Sequence, residues 1–267
     1  MGEELHPERV ARHLWSERFG RSLRVLAETD STNDDALQDA RGGAADGHVV
    51  VADSQRAGRG SNGRTWASPA GTDLYLSIVT RPQLSLPQLP PLTLAVGLAV
   101  ADAAAELTRA AAPDGESLAT EVKWPNDVWL AGRKTAGILI EASSNGAELG
   151  PVIIGIGLNV NRERWPEPLQ DSATSLRLAS GSRAPLDRAR TLGVLLRHVE
   201  RWVDRFTGPD GAEHVARSLD SRLALRGRAV RCGDARGVVR GVAPNGALIL
   251  EVAGQATEVY SGRLLPE

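Results

Sequence analysis

A chain of 267 residues can bury one full core and still carry a small second domain. Its 42% hydrophobic and 24% charged content is ordinary for a globular protein, and a net charge of −2 gives no electrostatic reason to expect a nucleic-acid backbone as partner. The single cysteine, Cys232, excludes an internal disulfide framework and a cysteine zinc site, and the five histidines never fall in a metal-ligand spacing such as HExxH.

The opening residues, Met-Gly-Glu-Glu-Leu-His, hold no basic stretch followed by an apolar one, so nothing suggests secretion. His6 stands where an acylation signal at Gly2 would place Ser or Thr, and the cytoplasm is the expected compartment. Leu5, Val10, Leu14 and Trp15 fall at roughly helical spacing and predict a helix over 5–20. A short strand at 23–27 leads to Ser31-Thr32-Asn33-Asp34, where Ser31 with Asp34 three residues on predicts the cap of a helix across 35–41. An apolar strand at 49–52 runs into a glycine-rich loop at 57–65, and an alternating strand follows at 73–80. The apolar run 92–101 is too short to cross a bilayer and belongs to a buried helix over 92–112.

Strands are predicted at 119–124, 128–130, 134–142 and 152–160, then helices at 186–206 and 212–219. From residue 222 the chain changes to short β-like runs split by glycine turns, and Asn245-Gly246 between apolar runs is a strong hairpin signal. These patterns divide the chain into a helix-and-sheet domain over 1–221 and a small β-barrel-like domain over 222–267.

The loop Gly58-Arg59-Gly60-Ser61-Asn62-Gly63-Arg64-Thr65 matches the dinucleotide fingerprint GxGxxG, and it matches a P-loop except that Arg64 replaces the lysine. Both patterns need a helix directly after the loop, whose N-terminal amides hold the phosphate. Pro69 and Gly71 argue against that helix, and no acidic residue ends a suitable strand further on. Both readings therefore fail. A third keeps the physics without the helix: glycines let the backbone approach an anion while Arg59 and Arg64 supply charged forks. A solvated surface turn has the same composition, and the loop alone slightly favours that plainer reading.

Other segments change the balance. Ser31-Thr32-Asn33 gathers small polar groups at a strand-to-helix turn, suited to a neutral polar head group as well as to a cap, and Gln55 stands just ahead of the glycine loop. In Lys123-Trp124-Pro125-Asn126-Asp127 the last three residues favour a turn, which leaves Lys123 beside a tryptophan unexplained. Arg133-Lys134-Thr135-Ala136-Gly137-Ile138-Leu139 brings a lysine to an apolar strand, as an ordinary hairpin tip also would. Gly155-Ile156-Gly157-Leu158-Asn159-Val160 ends another buried strand with two glycines and an asparagine.

In this order, Ser-Thr-Asn, Gln-x-Ala-Gly-Arg-Gly-x-x-Gly-Arg, Lys-Trp-Pro-Asn-Asp, Arg-Lys-x-Ala-Gly-Ile-Leu and Gly-Ile-Gly-Leu-Asn resemble the biotin–protein ligase family, over roughly residues 25–180. Each motif is weak alone, whereas the ordered set is specific. The resemblance implies an α+β fold, a mixed β-sheet flanked by helices, with a small C-terminal SH3-like β-barrel. It implies ATP-dependent activation of biotin to biotinyl-AMP, with Mg²⁺, and transfer to a lysine of the biotin carboxyl carrier domain of an acetyl-CoA or acyl-CoA carboxylase. By the same resemblance Ser31, Thr32, Asn33 and Gln55 line the biotin pocket, and Arg59, Gly60 and Ser61 lie over biotin and the adenylate phosphate. Lys134 matches the lysine that contacts the reacting carboxylate and phosphate, and with Arg59 it forms the expected catalytic pair. Arg59, Arg64, Trp66, Lys123, Asn126, Asp127 and Asn159 fall on the ATP side, with Asp127 the carboxylate expected near Mg²⁺.

The chemistry brings two anions together, a carboxylate and an α-phosphate, and Lys134 with Arg59 would neutralise their repulsion. No residue stands out as general base for the acceptor amine. One position departs from the family pattern: many members carry a third basic residue in the loop where this chain has Ser61, which weakens the expectation that the adenylate is tightly retained. Only 30 residues precede Ser31, too few for the DNA-binding domain of some relatives, so operator binding is not expected. Three rivals stand beside this reading: a lipoate or octanoate ligase, a non-catalytic binding module and a DNA-binding regulator. The Lys-Trp-Pro-Asn-Asp segment and the two-arginine loop favour biotin over lipoate, and Lys134 argues against simple recognition. Monomer and weak homodimer both stay open.

Overall fold

Short β-branched runs and one alanine-rich helix organise the chain, whose computed structural model describes residues 5–145, 148–167 and 169–267. Gly2, weighed above for acylation, lies outside the described residues. The first helix, α1 (Pro7–Ala11), starts on a proline, whose missing amide costs nothing there. It is much shorter than the 5–20 expectation. The backbone amides of Glu17, Arg18 and Phe19 turn to the carboxylate of Glu200 at 2.7, 2.8 and 2.6 Å, so a buried anion far along the chain fixes this stretch as a loop.

Strand β1 (Leu23–Thr29), helix α2 (Thr32–Arg41) and strand β2 (Val49–Gln55) form a parallel β–α–β unit, in register from Leu23↔Val49 to Thr29↔Gln55. Ser31 occupies the cap position with extended backbone, but its side chain makes no capping bond; the amides of Asp34 and Asp35 bond to its carbonyl oxygen instead. The helix therefore begins three residues before the expected start, and the Ser31 hydroxyl is left for other partners.

Strand β3 (Leu74–Thr80), helix α3 (Pro90–Ala111), and strands β4 (Thr120–Lys123), β5 (Asp127–Leu130), β6 (Arg133–Asn145) and β7 (Glu148–Leu158) follow. The sheet order is β1-β2-β3-β7-β6-β5-β4, antiparallel except for β1–β2. This is the expected mixed sheet. Helix α2 covers one face through a small cluster of Ala36, Ala40, Val50, Val79 and Ile153. Helix α3 covers the other, and α4 (Leu176–Ser180), α5 (Arg188–Thr207) and α6 (Gly211–Leu219) pack on α3 in turn. The first half of α3, through Ala101, is apolar nearly all round, and its second half turns Asp102 and Glu106 to Arg222 and Arg197. Among the described residues it is the one helix long and apolar enough to cross a membrane, and it lies mostly buried in the core.

The chain then returns to the sheet. Residues 222–224 bond to Val122 of β4 at 2.8 and 3.0 Å before a second, antiparallel sheet begins. It holds β8 (Ala229–Cys232), β9 (Ala235–Val242), β10 (Leu248–Val252), β11 (Gln255–Val259) and β12 (Leu264–Pro266) in the order β11-β10-β9-β8-β12. Asn245-Gly246 turns the chain between β9 and β10 as its sequence predicts, with Gly246 at φ +86. Cys232 is free and buried, which pushes its thiol pKa up. The apolar core is continuous between the two sheets, through Trp124, Leu223, Val230, Leu248 and Leu264.

Candidate active site

Side chains alternate across a strand. In β7, Ile154, Ile156 and Leu158 pack into the α3 side, so Ile153, Gly155 and Gly157 face the α2 side. Gly137 of β6 pairs with Gly157. Past the N-terminus of α2 the sheet thus presents a floor without side chains, and a cavity of about 210 Å³ lies on it. Two side chains rest on that floor. A Cβ at Gly155 would collide with Asn33 Oδ1, one at Gly157 with the Trp66 indole, and one at Gly137 would come within 2.8 Å of Trp66 Cζ3.

Three of the four residues expected to line the biotin pocket, Thr32, Asn33 and Gln55, join one hydrogen-bonded chain. Thr32 donates to Gln55 Oε1 from its amide at 2.9 Å and its hydroxyl at 3.2 Å, and Gln55 Nε2 donates to Ser68 Oγ at 2.9 Å. On the other side, Ser77 Oγ lies 2.8 Å from Thr32 Oγ1 and 2.6 Å from Asn33 Oδ1, while Asn33 Nδ2 donates to Glu141 at 2.6 Å. Ser31 lines the same cavity. Ser77 and Glu141 escaped the sequence reading, although a serine and a glutamate inside apolar strand runs are visible signals.

The glycine loop closes on itself. Gly60 and Trp66 amides bond to the carbonyls of Arg64 and Gly58 at 2.6 and 2.8 Å, with Asn62 and Gly63 at positive φ at the tip. No helix follows it, as Pro69 and Gly71 foretold. Gly58 must be glycine because a Cβ there would meet the Trp66 carbonyl oxygen at 2.5 Å. Arg59 reaches back to Asp34 at 2.6 and 2.8 Å and to Glu141 at 2.9 Å, bonds that raise its pKa further. These pairs are part-exposed and worth about 0.2–1 kcal/mol each, less than a charge-assisted bond to phosphate, so an anion can draw Arg59 away. Arg64 folds onto Ser61, donating to its carbonyl at 3.0 Å and its hydroxyl at 2.8 Å.

Lys134 sits where β5 turns into β6 through Ala131-Gly132, both at positive φ as a two-residue hairpin requires. Its Nζ lies 2.6 Å from Asp127 Oδ1 and 5.2 Å from the centre of the Trp66 ring. The Trp66 Nε1 is buried without a hydrogen-bond partner among the described residues. Lys123 lies over the Trp129 ring, and burial, then the nearby cations Arg263, Lys134 and Arg64, lower its pKa against the opposing pull of Asp127. Asn126 and Asn159 border the cavity but also pin backbone, donating to the Ile138 and Thr174 carbonyls at 2.9 and 3.0 Å. Among the described residues no three His, Cys, Asp or Glu side chains gather to hold a metal ion.

Residues 25–159 match the family described as biotin/lipoate A/B protein ligases. The biotin–[acetyl-CoA-carboxylase] ligase of Mycobacterium tuberculosis is 37% identical over 270 residues, which cover 97% of this chain and 96% of that protein. The chain belongs to the biotin/lipoate A/B protein ligase family. The bifunctional ligase/repressor of Bacillus spizizenii is 35% identical over 257 residues, covering 91% of this chain and 76% of that one. Among solved structures, the biotin protein ligase of Aquifex aeolicus in complex with biotin and ATP superposes with a TM-score of 0.78 at 29% identity, covering 92% of this chain and all of that one. With these relatives, this member of the biotin/lipoate ligase family is an enzyme of the ligase class with biotin–protein ligase function.

Proposed function

We propose that the enzyme activates biotin with ATP to biotinyl-AMP and transfers biotin to a lysine of a biotin carboxyl carrier domain of an acetyl-CoA or acyl-CoA carboxylase. One observation carries the reading: Lys134 stands where the cavity bordered by Ser31, Thr32, Asn33 and Gln55 meets a second cavity bordered by Lys123 and Asp127. In this reading the polar chain around Thr32 holds the neutral ring of biotin, the glycine floor accepts its body, and its carboxylate meets Lys134. Trp66, Asn126 and Asn159 take the nucleoside, and Arg59 and Arg64 take phosphate. Charge neutralisation by Lys134 and Arg59 lets a carboxylate oxygen attack the α-phosphorus. In the second step the acceptor amine displaces AMP from the mixed anhydride.

Mg²⁺ would enter with the nucleotide's phosphates, and among the described residues bordering the second cavity Asp127 is the carboxylate that would meet it. A lone carboxylate suits an ion carried on phosphate and water ligands. We place the enzyme in the cytoplasm and its domain boundary at 221/222. The test is biotin-dependent exchange of labelled pyrophosphate into ATP, with lipoate and octanoate in parallel. Exchange supported by lipoate but not by biotin overturns the reading.

A further inference from the structure

The polar chain beside the cavity has one charged end. Glu141 stands on β6, and its Oε2 accepts from Asn33 Nδ2 at 2.6 Å and from Arg59 Nη2 at 2.9 Å. The rest of the chain, Asn33, Ser77, Thr32 and Gln55, is neutral, and Asn33, Ser77 and Thr32 are buried. Amides and hydroxyls both donate and accept, so the direction in which such a chain runs is decided at its ends.

Both ends are fixed here. A carboxylate seated on a guanidinium only accepts, so the end of the Asn33 amide that meets Glu141 is its nitrogen. A longer contact from the same nitrogen to the Leu139 carbonyl, at 3.4 Å, is weaker and points the same way. Asn33 Oδ1 therefore faces Ser77, whose hydroxyl spends its only proton on it at 2.6 Å. At the other end the Thr32 backbone amide can only donate. It makes Gln55 Oε1 an acceptor at 2.9 Å and leaves Gln55 Nε2 donating to Ser68.

Thr32 Oγ1 lies between these two ends, 2.8 Å from Ser77 Oγ and 3.2 Å from Gln55 Oε1. Neither neighbour has a proton left to give, so the Thr32 proton stays inside the chain. What Thr32 offers the cavity it lines is a lone pair.

We propose that Glu141 is a positioning residue that sets the ring specificity of this enzyme: by fixing which way the chain runs, it makes Thr32 an acceptor for a ring N–H. The inference rests on the proposed function above. The cyclic urea of biotin carries N–H donors, whereas the dithiolane of lipoate carries none. Without Glu141 the Asn33 amide can turn over, Ser77 can donate to Thr32, and Thr32 then offers a proton as readily as a lone pair. An N–H facing an O–H leaves both unpaired, and unpaired polar groups in a site separate a substrate from its analogue by large factors.

Calorimetric titration of biotin without nucleotide, with lipoate and octanoate measured by competition, tests this in Glu141→Ala, Glu141→Gln and Asp34→Ala. Glu141→Ala should weaken biotin at least tenfold and leave lipoate and octanoate within twofold, so that selectivity for biotin narrows. Glu141→Gln keeps the shape but can donate to Asn33 as well as accept, and should weaken biotin at least threefold. Asp34→Ala takes the other carboxylate from Arg59 without touching Asn33, and should leave biotin within twofold. The side chain of Glu141 is half-exposed, so all three variants should melt near wild type. Biotin affinity within twofold of wild type in either Glu141 variant overturns the proposal, and so does an equal loss for biotin and lipoate. A loss in Asp34→Ala that matches Glu141→Ala overturns it too, by assigning the effect to Arg59. Wild type that binds lipoate and not biotin would overturn the proposed function itself, and this inference with it.

Discussion

Lys134 Nζ makes a 2.6 Å ion pair with Asp127 Oδ1 across the β5–β6 hairpin, at the junction of the two cavities. The pair aims the ammonium before any substrate arrives, and preorganised charge costs no reorganisation when the transition state forms. Lys134→Ala should therefore lower adenylate formation by about 10²–10³, equivalent to roughly 3–4 kcal/mol. Its effect on folding should stay under about 1 kcal/mol, as for a part-exposed pair. Single-turnover adenylation and a urea melt check the two halves, and near-normal turnover in the folded variant would move the role to another residue.

In the proposed reading the glycine floor meets biotin at Gly155 and borders the nucleoside at Gly157. Gly155 lies under Asn33, which is fixed by Ser77 and Glu141, and Gly157 lies under the wide Trp66 indole. Neither neighbour is the free end of a flexible chain, so an added methyl must displace it. Gly155→Ala should weaken biotin at least tenfold with a smaller effect on ATP, and Gly157→Ala should do the reverse. Calorimetric titration of each ligand against each variant decides; equal losses in both would mean that the sheet itself has shifted.

Lys123 carries a pH signature. Burial and three neighbouring cations lower its pKa, so it loses its proton at lower pH than an ordinary lysine. Bound phosphate favours the charged form. ATP affinity should therefore be full below the Lys123 pKa and fall as pH rises through it. In the free protein the sign reverses: the charged lysine costs stability below that pKa, and the cost is relieved above it. Arg263→Ala removes one of the cations and should move the fall in affinity to higher pH. A fall that stays in place would detach Lys123 from Arg263.

Much of this was legible in local sequence. Short apolar runs found most of the strands, the alternation read at 73–80 lies in a strand buried along its whole length, and the absence of a helix after Thr65 followed from Pro69 and Gly71. Long-range partners were not legible. Glu200 captures the amides of residues 17–19, and nothing near those residues announces it. The five-residue α4, capped by Ser175, is too short for a periodic signal. Trp124 in the Lys-Trp-Pro-Asn-Asp segment had no local explanation because its partner is Gly246, 122 residues away. The motifs located the site, while Ser77 and Glu141 entered it only through the pairing of strands distant in sequence.

Ser61 stands where the resemblance leads one to expect a third basic residue in the glycine loop, and its hydroxyl accepts a 2.8 Å bond from Arg64. A guanidinium there would give a charge-assisted bond to the adenylate phosphate, roughly twice as strong as a neutral one. Serine forgoes about 1–3 kcal/mol of retention, enough to speed escape of the intermediate by one to two orders of magnitude. Biotinyl-AMP is an acylating agent, so slow labelling of non-cognate lysines should accompany the escape. Ser61→Arg should slow adenylate dissociation ten- to hundredfold, measured with acceptor absent, and should suppress the stray labelling in parallel. Arg64, docked on Ser61, is the residue that could already supply the missing charge. An off-rate unchanged in Ser61→Arg but raised in Arg64→Ala would assign retention to Arg64 and end the leak hypothesis.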